Sequence, residues 1–223
     1  MKQRLEVKFS DPDADFEIGE GLKTATLRQE QGKYHLPPGE RITAVCGENQ
    51  SRHGLVVVQA WCGSIRELPI VPLALDKMFT RRDAVKMQDA DYGDKPRHTL
   101  DSQVSYIAFI TDMAYRQLGD DGQKRLLDLG VTGALRVNAY SKLFLPSIVY
   151  GHTVRYPDES YKHLLGWMSD NNAVPPERIR RAEEHLVELP RKNFNRIEIE
   201  KLLFPETPDD YRVGYERFVL LRR

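Results

Sequence analysis

The chain is poor in cysteine, has no excess charge of either sign and contains no long apolar run. Each shortage closes off a class of protein. Only Cys46 and Cys62 occur in 223 residues, neither as a C-x-x-C pair nor in a dense framework, so a disulfide-stapled fold is excluded. Both border apolar runs, Ile42–Val45 and Val56–Trp61. They are expected as reduced core residues, because a reactive thiol needs an electropositive, partly exposed setting. Lys plus Arg and Asp plus Glu both number 33, which argues against the broad cationic field that non-specific duplex binders use. A local basic pocket remains open. No window approaches the ~18–20 uncharged apolar residues of a membrane helix. Met1-Lys2-Gln3-Arg4 leads into charged sequence, unlike a signal peptide. The expectation is a soluble, cytoplasmic protein with no membrane partner. The six histidines are scattered, no two at metal-ligand spacing, so neither a metal nor a cofactor is expected. Walker, G-x-G-x-x-G and G-x-S-x-G motifs are missing, as are internal repeats and low-complexity linkers.

What is present divides near residue 112. Up to there, short segments rich in Val, Ile, Thr and aromatics predict strands at Leu5–Phe9, Thr24–Arg28, Arg41–Gly47, Gly54–Cys62 and Gln103–Thr111. Turn clusters such as Leu36-Pro37-Pro38-Gly39 bound them. Gly54–Trp61 is expected to pair with Arg41–Gly47 as a hairpin. One helix candidate, in one piece or two, runs over Pro72–Gln88. Beyond Thr111 helical signals dominate. Asp120 or Asp121 can cap a helix that Gly130 would stop. Tyr161, Leu164, Leu165 and Met168 recur at helical spacing. A third helix opens at Pro175-Pro176-Glu177 and closes at Pro190, and a fourth starts at Asn195-Arg196-Ile197-Glu198 before a closing strand at Arg217–Leu221. Ala139–Val154 is undecided. The fold class is α+β: a small barrel over residues 1–112, then a mainly helical region over 113–223 packed against it.

The most specific run is Glu20-Gly21-Leu22-Lys23-Thr24-Ala25-Thr26-Leu27-Arg28, which fits G-x-K-x-x-T-x-R. Four fixed positions recur by chance on the order of 10⁻⁵ per starting position. In an extended strand Lys23 would share a face with Ala25 and Leu27, away from Thr26 and Arg28. Convergence of Lys23 and Thr26 therefore requires a turn over Gly21–Lys23, which Gly21 permits through positive φ. The implied pocket has Gly21, Lys23, Thr24, Thr26 and Arg28 as ligand-binding residues. An ammonium, hydroxyls and a guanidinium offer donors to a phosphate, a carbonyl or a base edge. Lys23, partly desolvated beside the Arg28 cation, can also act as a base on Thr26 or on a water.

The motif and the order of elements around it resemble the ASCH domain family, a small β-barrel related to the PUA domain, over roughly residues 4–112. The resemblance implies binding of RNA or a modified nucleoside. It also implies an alternative, a hydrolase of the N4-acetylcytidine amidohydrolase type or a ribonuclease, with Lys23 and Thr26 catalytic and a Glu as proton donor. By alignment that Glu falls near Met87, with Asp83, Asp89 and Asp91 nearby and Asp89 the candidate replacement. A third reading makes the helical half a protein-interaction scaffold. The binding reading carries a corollary, that Lys23→Ala removes the ligand with little change in melting temperature. Two weaker features accompany the motif. Lys77, Arg81, Arg82 and Lys86 place four cations within ten residues, suited to a nucleic-acid backbone or to a solvated helix face. Tyr34-His35 and Trp61 offer stacking surfaces, although the apolar run around Trp61 favours a place in the core.

Overall fold

The computed structural model describes residues 4–29, 32–69, 73–91, 98–131, 141–156 and 161–188. It is a mixed α/β fold built on a five-stranded sheet. The strands are β1 (Glu6–Phe9), β2 (Ala25–Gln29), β3 (Arg41–Cys46), β4 (Ser51–Ser64) and β5 (Gln103–Thr111), in the order β1-β3-β4-β5-β2. Only the β1–β3 pair is parallel. All five expected strands form, and β3 and β4 pair as the expected hairpin. β4 is 14 residues long and carries a bulge, since Val57 pairs with Phe109 and Gln59 with Ala108, leaving Val58 as the extra residue. A bulge bends its strand and increases the local twist, and the sheet curls into a half-barrel. The curl brings the two edge strands close enough for Arg28 Nη2 on β2 to donate to the Lys8 carbonyl on β1 at 2.8 Å.

Period-2 alternation divides the sheet's residues between two cores. Ile107, Phe109, Val57, Ile42 and Val7 point inward, where α1 (Ala14–Gly19) adds Ile18, and Phe9 meets Phe109 edge-on at 6.2 Å. Ala25, Leu27, Tyr106, Ala108 and Ile110 point outward into a cluster that continues through Leu126, Phe144, Leu164 and Leu165. The sheet and the helices after Thr111 therefore share one apolar core. α1 carries no amphipathic signal of useful length, and the sequence gives no warning of it.

The helices correct several expectations. The Pro72–Gln88 candidate forms in two pieces: helical Leu73 and Ala74 pass into a turn over Leu75–Lys77, which precedes α2 (Arg81–Asp91). Lys77 adopts φ +61°, which ends helical propagation. Thr80 and Asp83 restart it with reciprocal bonds, Thr80 N to Asp83 Oδ2 at 2.9 Å and Asp83 N to Thr80 Oγ1 at 3.1 Å. Thr111 caps the unexpected α3 (Asp112–Gln117) by accepting from Ala114 N. Gly130 does not stop its helix, because α4 spans Gly119–Val131. A Cβ at Gly130 would lie 1.8 Å from the Val58 carbonyl oxygen, so glycine there allows α4 to press onto β4. Most of the undecided Ala139–Val154 stretch lies in α5 (Ser141–Arg155). In α6 (Tyr161–Asp170) Leu164, Leu165 and Met168 are buried, and in α7 (Pro176–Glu188) Ile179 and Ala182 are buried, as their spacing predicts. Pro190, the Asn195 helix and the Arg217–Leu221 strand lie outside the described residues. No described helix is long and apolar enough to cross a membrane. Of the two cysteines, Cys46 is buried but Cys62 only half-buried, its Sγ 3.5 Å from Ser105 Oγ.

Candidate functional site

The turn required by the motif is present. Gly21 takes φ +69°, and the Glu17 carbonyl accepts from both Leu22 N at 2.7 Å and Lys23 N at 3.0 Å. The chain becomes extended only at Ala25, so Lys23 swings around to the face that Thr26 and Arg28 occupy. Lys23, Thr26 and Arg28 line one pocket of about 90 Å³ at the open edge of β2. That volume admits several waters or one small polar group. Thr26 pairs with Ile107 on the inner face and is 4% exposed.

The pocket contains an acid that the sequence reading did not single out. Asp76, 3% exposed on the turn before α2, receives the Lys23 ammonium on Oδ1 and Leu27 N on Oδ2 at 2.7 Å. Leu27 lies on an edge strand, so its outward N–H and C=O have no neighbouring strand to pair with. Asp76 takes the N–H, and Gln88 Nε2 donates to the C=O at 3.5 Å. One carboxylate thereby closes the sheet edge and fixes the Lys23 ammonium at the pocket. A signal for Asp76 existed: Asp76-Lys77 is the only charged pair within the apolar run Ile70–Phe79. Burial, reinforced by the Asp76 carboxylate, raises the Tyr106 phenol well above its ordinary value.

The other expected acids are engaged elsewhere. Asp83 caps α2 and accepts from Arg155 at 3.3 Å and from the Tyr156 hydroxyl at 3.0 Å. Burial alone would raise its carboxyl, but the bonds from Thr80, Tyr156 and Arg155 together hold it below the ordinary value. Asp89 Oδ1 accepts from His98 N at 2.6 Å and lies 3.0 Å from His98 Nδ1, and it does not line the pocket. The Asp91 side chain lies outside the described residues. Met87 does line the pocket, beside Gln88.

Arg28 is used partly as a structural seam. Besides bonding Lys8, its guanidinium sits 4.8 Å over the Phe9 ring. Gly21 and Thr24 are not on the Thr26 and Arg28 side. With Lys23 they line a second pocket of about 90 Å³ against Ile110, Ala114 and Leu143. The single pocket expected for these five residues is thus split, with Thr24 preceding the strand that carries Thr26 and Arg28.

A second pair, its carboxylate buried and its ammonium partly exposed, adjoins the first. Lys77 Nζ donates to both Glu17 oxygens, at 2.5 and 2.6 Å, and the Tyr150 hydroxyl on α5 donates to Glu17 Oε1 at 2.7 Å. Of the expected cation cluster, Lys77 is thereby committed, while Arg82 and Lys86 are exposed one turn apart on α2. Tyr34 is buried within the inner core, and Trp61 packs at the edge of the outer one. Among the described residues no group of three or more His, Cys, Asp or Glu could hold a metal ion.

Fold and site together define a mixed α/β protein with a curled five-stranded half-barrel and a buried Lys–Asp pair at its open edge. No protein-family model, curated protein or solved structure matches the chain.

Proposed function

We propose that the half-barrel is an ASCH-like domain and that the protein hydrolyses an amide on a modified nucleoside, with N4-acetylcytidine as the model substrate. The observation that carries this reading is the buried Lys23–Asp76 pair in a pocket that also holds Thr26. The resemblance calls for a lysine, a threonine and a carboxylic acid. The acid is absent at Met87, but Asp76 reaches the lysine from the turn before α2. Transfer of one proton along the Lys23–Asp76 bond leaves a neutral amine and a carboxylic acid, a base and an acid side by side. The amine accepts a proton from water as its oxygen attacks the amide carbonyl; by the alternative route the Thr26 hydroxyl gives up its proton and attacks, and a water then hydrolyses the Thr26 ester, restoring the hydroxyl and releasing the carboxylic acid. The Asp76 acid protonates the leaving nitrogen. Through the water route the amide yields a carboxylic acid and the free exocyclic amine, with atoms and protons balanced.

A second reading, RNA binding, is favoured by exposed Arg82 and Lys86 on the helix that supplies Met87 and Gln88 to the pocket. Phosphates flanking a pocket-bound nucleotide would pass along that face. One assay tests both: chromatography of N4-acetylcytidine and a short RNA panel incubated with wild type, Lys23→Met and Asp76→Asn. The expected result is cytidine from wild type and background from either variant. Intact N4-acetylcytidine after incubation with folded wild type overturns the amidohydrolase reading. RNA retention without turnover would replace it with the second.

A further inference from the structure

We infer that the helical region completes the site: Ser147 on α5 is a positioning residue that fixes the turn carrying Asp76 and so sets the alignment of Asp76 with Lys23. Its part in turnover rests on the amidohydrolase reading above, whereas its hold on Asp76 stands on the fold alone. The turn over Leu75–Lys77 has a carbonyl that the backbone does not satisfy. Lys77 at φ +61° takes the chain out of the helical path, and among the described residues no backbone N–H reaches the oxygen of Leu75, itself 1% exposed. A buried carbonyl in that state is costly. Ser147, 0% exposed, donates its hydroxyl to that oxygen at 2.9 Å. The peptide unit it grips joins Leu75 to Asp76, and the orientation of that unit directs the Asp76 Cα–Cβ bond.

The same helix meets the turn again on the other side of Asp76. Gly151, one helical turn beyond Ser147, lies against Lys77, where an added Cβ would come within 3.2 Å of both Lys77 Cα and Cγ. Asp76 is thus held through the residue before it and the residue after it. Trp167 on α6 extends the grip by donating Nε1 to the Phe79 carbonyl at 3.2 Å. From Asp76 the contacts run on to the Lys23 ammonium and to Leu27 N. Ser147 and Gly151 do not line the pocket, so they act through Asp76. Proton transfer between Lys23, Asp76 and a leaving nitrogen depends on alignment, and a displacement of about 1 Å caused far from the chemistry can cost a factor of roughly 10². Tyr150, on the same helix, bonds Glu17 instead and provides the control.

Alignment can be measured apart from turnover. In the full chain, amide hydrogen exchange of Leu27, whose N–H is held by Asp76, is compared with that of Val57, whose N–H is held by the Glu40 carbonyl at 2.9 Å. General loss of stability speeds both amides, but displacement of Asp76 speeds Leu27 alone. Ser147→Ala is expected to raise the Leu27-to-Val57 exchange ratio about tenfold, and to lower kcat for N4-acetylcytidine about tenfold with KM little changed. Gly151→Ala, which pushes on Lys77, is expected to raise the ratio as well, and Tyr150→Phe to leave both readouts at wild-type values. An unchanged ratio in folded Ser147→Ala overturns the inference, as does an equal rise in Tyr150→Phe. Should Ser147→Ala fail to fold, an unchanged ratio in Gly151→Ala overturns it in the same way. Intact N4-acetylcytidine with wild type, together with a raised ratio in Ser147→Ala, removes the amidohydrolase reading alone and leaves Ser147 as the residue that places Asp76.

Discussion

Two lysine–carboxylate pairs lie side by side in this fold, and consecutive residues build them: Asp76 holds Lys23, and Lys77 holds Glu17. Their chemistry is the same, but their surroundings differ. Lys23–Asp76 opens on a pocket with a hydroxyl and a guanidinium. Lys77–Glu17 is closed over by Tyr150 from α5, with Asp11 3.8 Å from the ammonium. Under the proposed function the first pair meets the ligand, while the second joins the half-barrel to the helices. Glu17 also connects the two, because its carbonyl holds the turn that delivers Lys23. Function is thus read from what a buried pair faces, since burial and pairing alone occur equally in structural networks.

The largest expected effect comes from breaking the closed pair. Glu17→Ala takes away the carboxylate that Lys77 and Tyr150 share and leaves the ammonium only Asp11 at 3.8 Å, and removing one partner of a buried pair costs about 3–5 kcal/mol. At 2–4 °C per kcal/mol for a chain of this size, the melting temperature should fall by roughly 6–20 °C in a thermal denaturation scan. Lys23→Ala carries a similar cost, moderated by the Leu27 N–H that Asp76 keeps. The expectation that this substitution spares stability is corrected on the same ground, since Lys23 is 8% exposed and paired. Tyr150→Phe removes the hydroxyl's bond to the Glu17 carboxylate, worth about 1.5–3 kcal/mol, and should leave pocket chemistry intact. Equal turnover loss in Tyr150→Phe and Lys23→Met would erase the proposed distinction.

Smaller effects sharpen the contrast away from both pairs. The folded carboxyl of Asp83 titrates below its ordinary value near 3.8, so its contribution to stability is present above that value and lost as pH falls through the folded one. Urea denaturation between pH 6 and 3 should show a steeper acid loss in wild type than in Asp83→Asn. The smallest effect is chemical. Burial, then Asp15, push the Cys46 thiol up to about 11, against an opposing influence of Lys23. A disulfide reagent at neutral pH should therefore modify Cys46 only after denaturation, as peptide mapping of the native protein would report.

Much of the site was legible because its logic is local. Gly21 predicts the turn, and strand alternation predicts that Lys23 must leave the extended path to meet Thr26. Asp76 lies 53 residues from its lysine, and nothing in either local pattern specifies that pairing. Gln88 was hidden for a similar reason: its role depends on the unpaired edge of β2, a property of sheet order that no single segment encodes. The five strands were legible from β-branched runs and turn clusters, whereas the break at Lys77 packs against the distant Gly151, where an added Cβ would approach Lys77 Cα to 3.2 Å.

The most direct measurement compares turnover of N4-acetylcytidine by wild type, Tyr150→Phe and the double variant Lys23→Met/Asp76→Asn, each first shown to be folded by its amide NMR spectrum. Removing both charges at once avoids the stranded ion that complicates either single substitution. The account predicts cytidine from wild type and Tyr150→Phe and none above background from the double variant. Cytidine released at the wild-type rate by the folded double variant would contradict it.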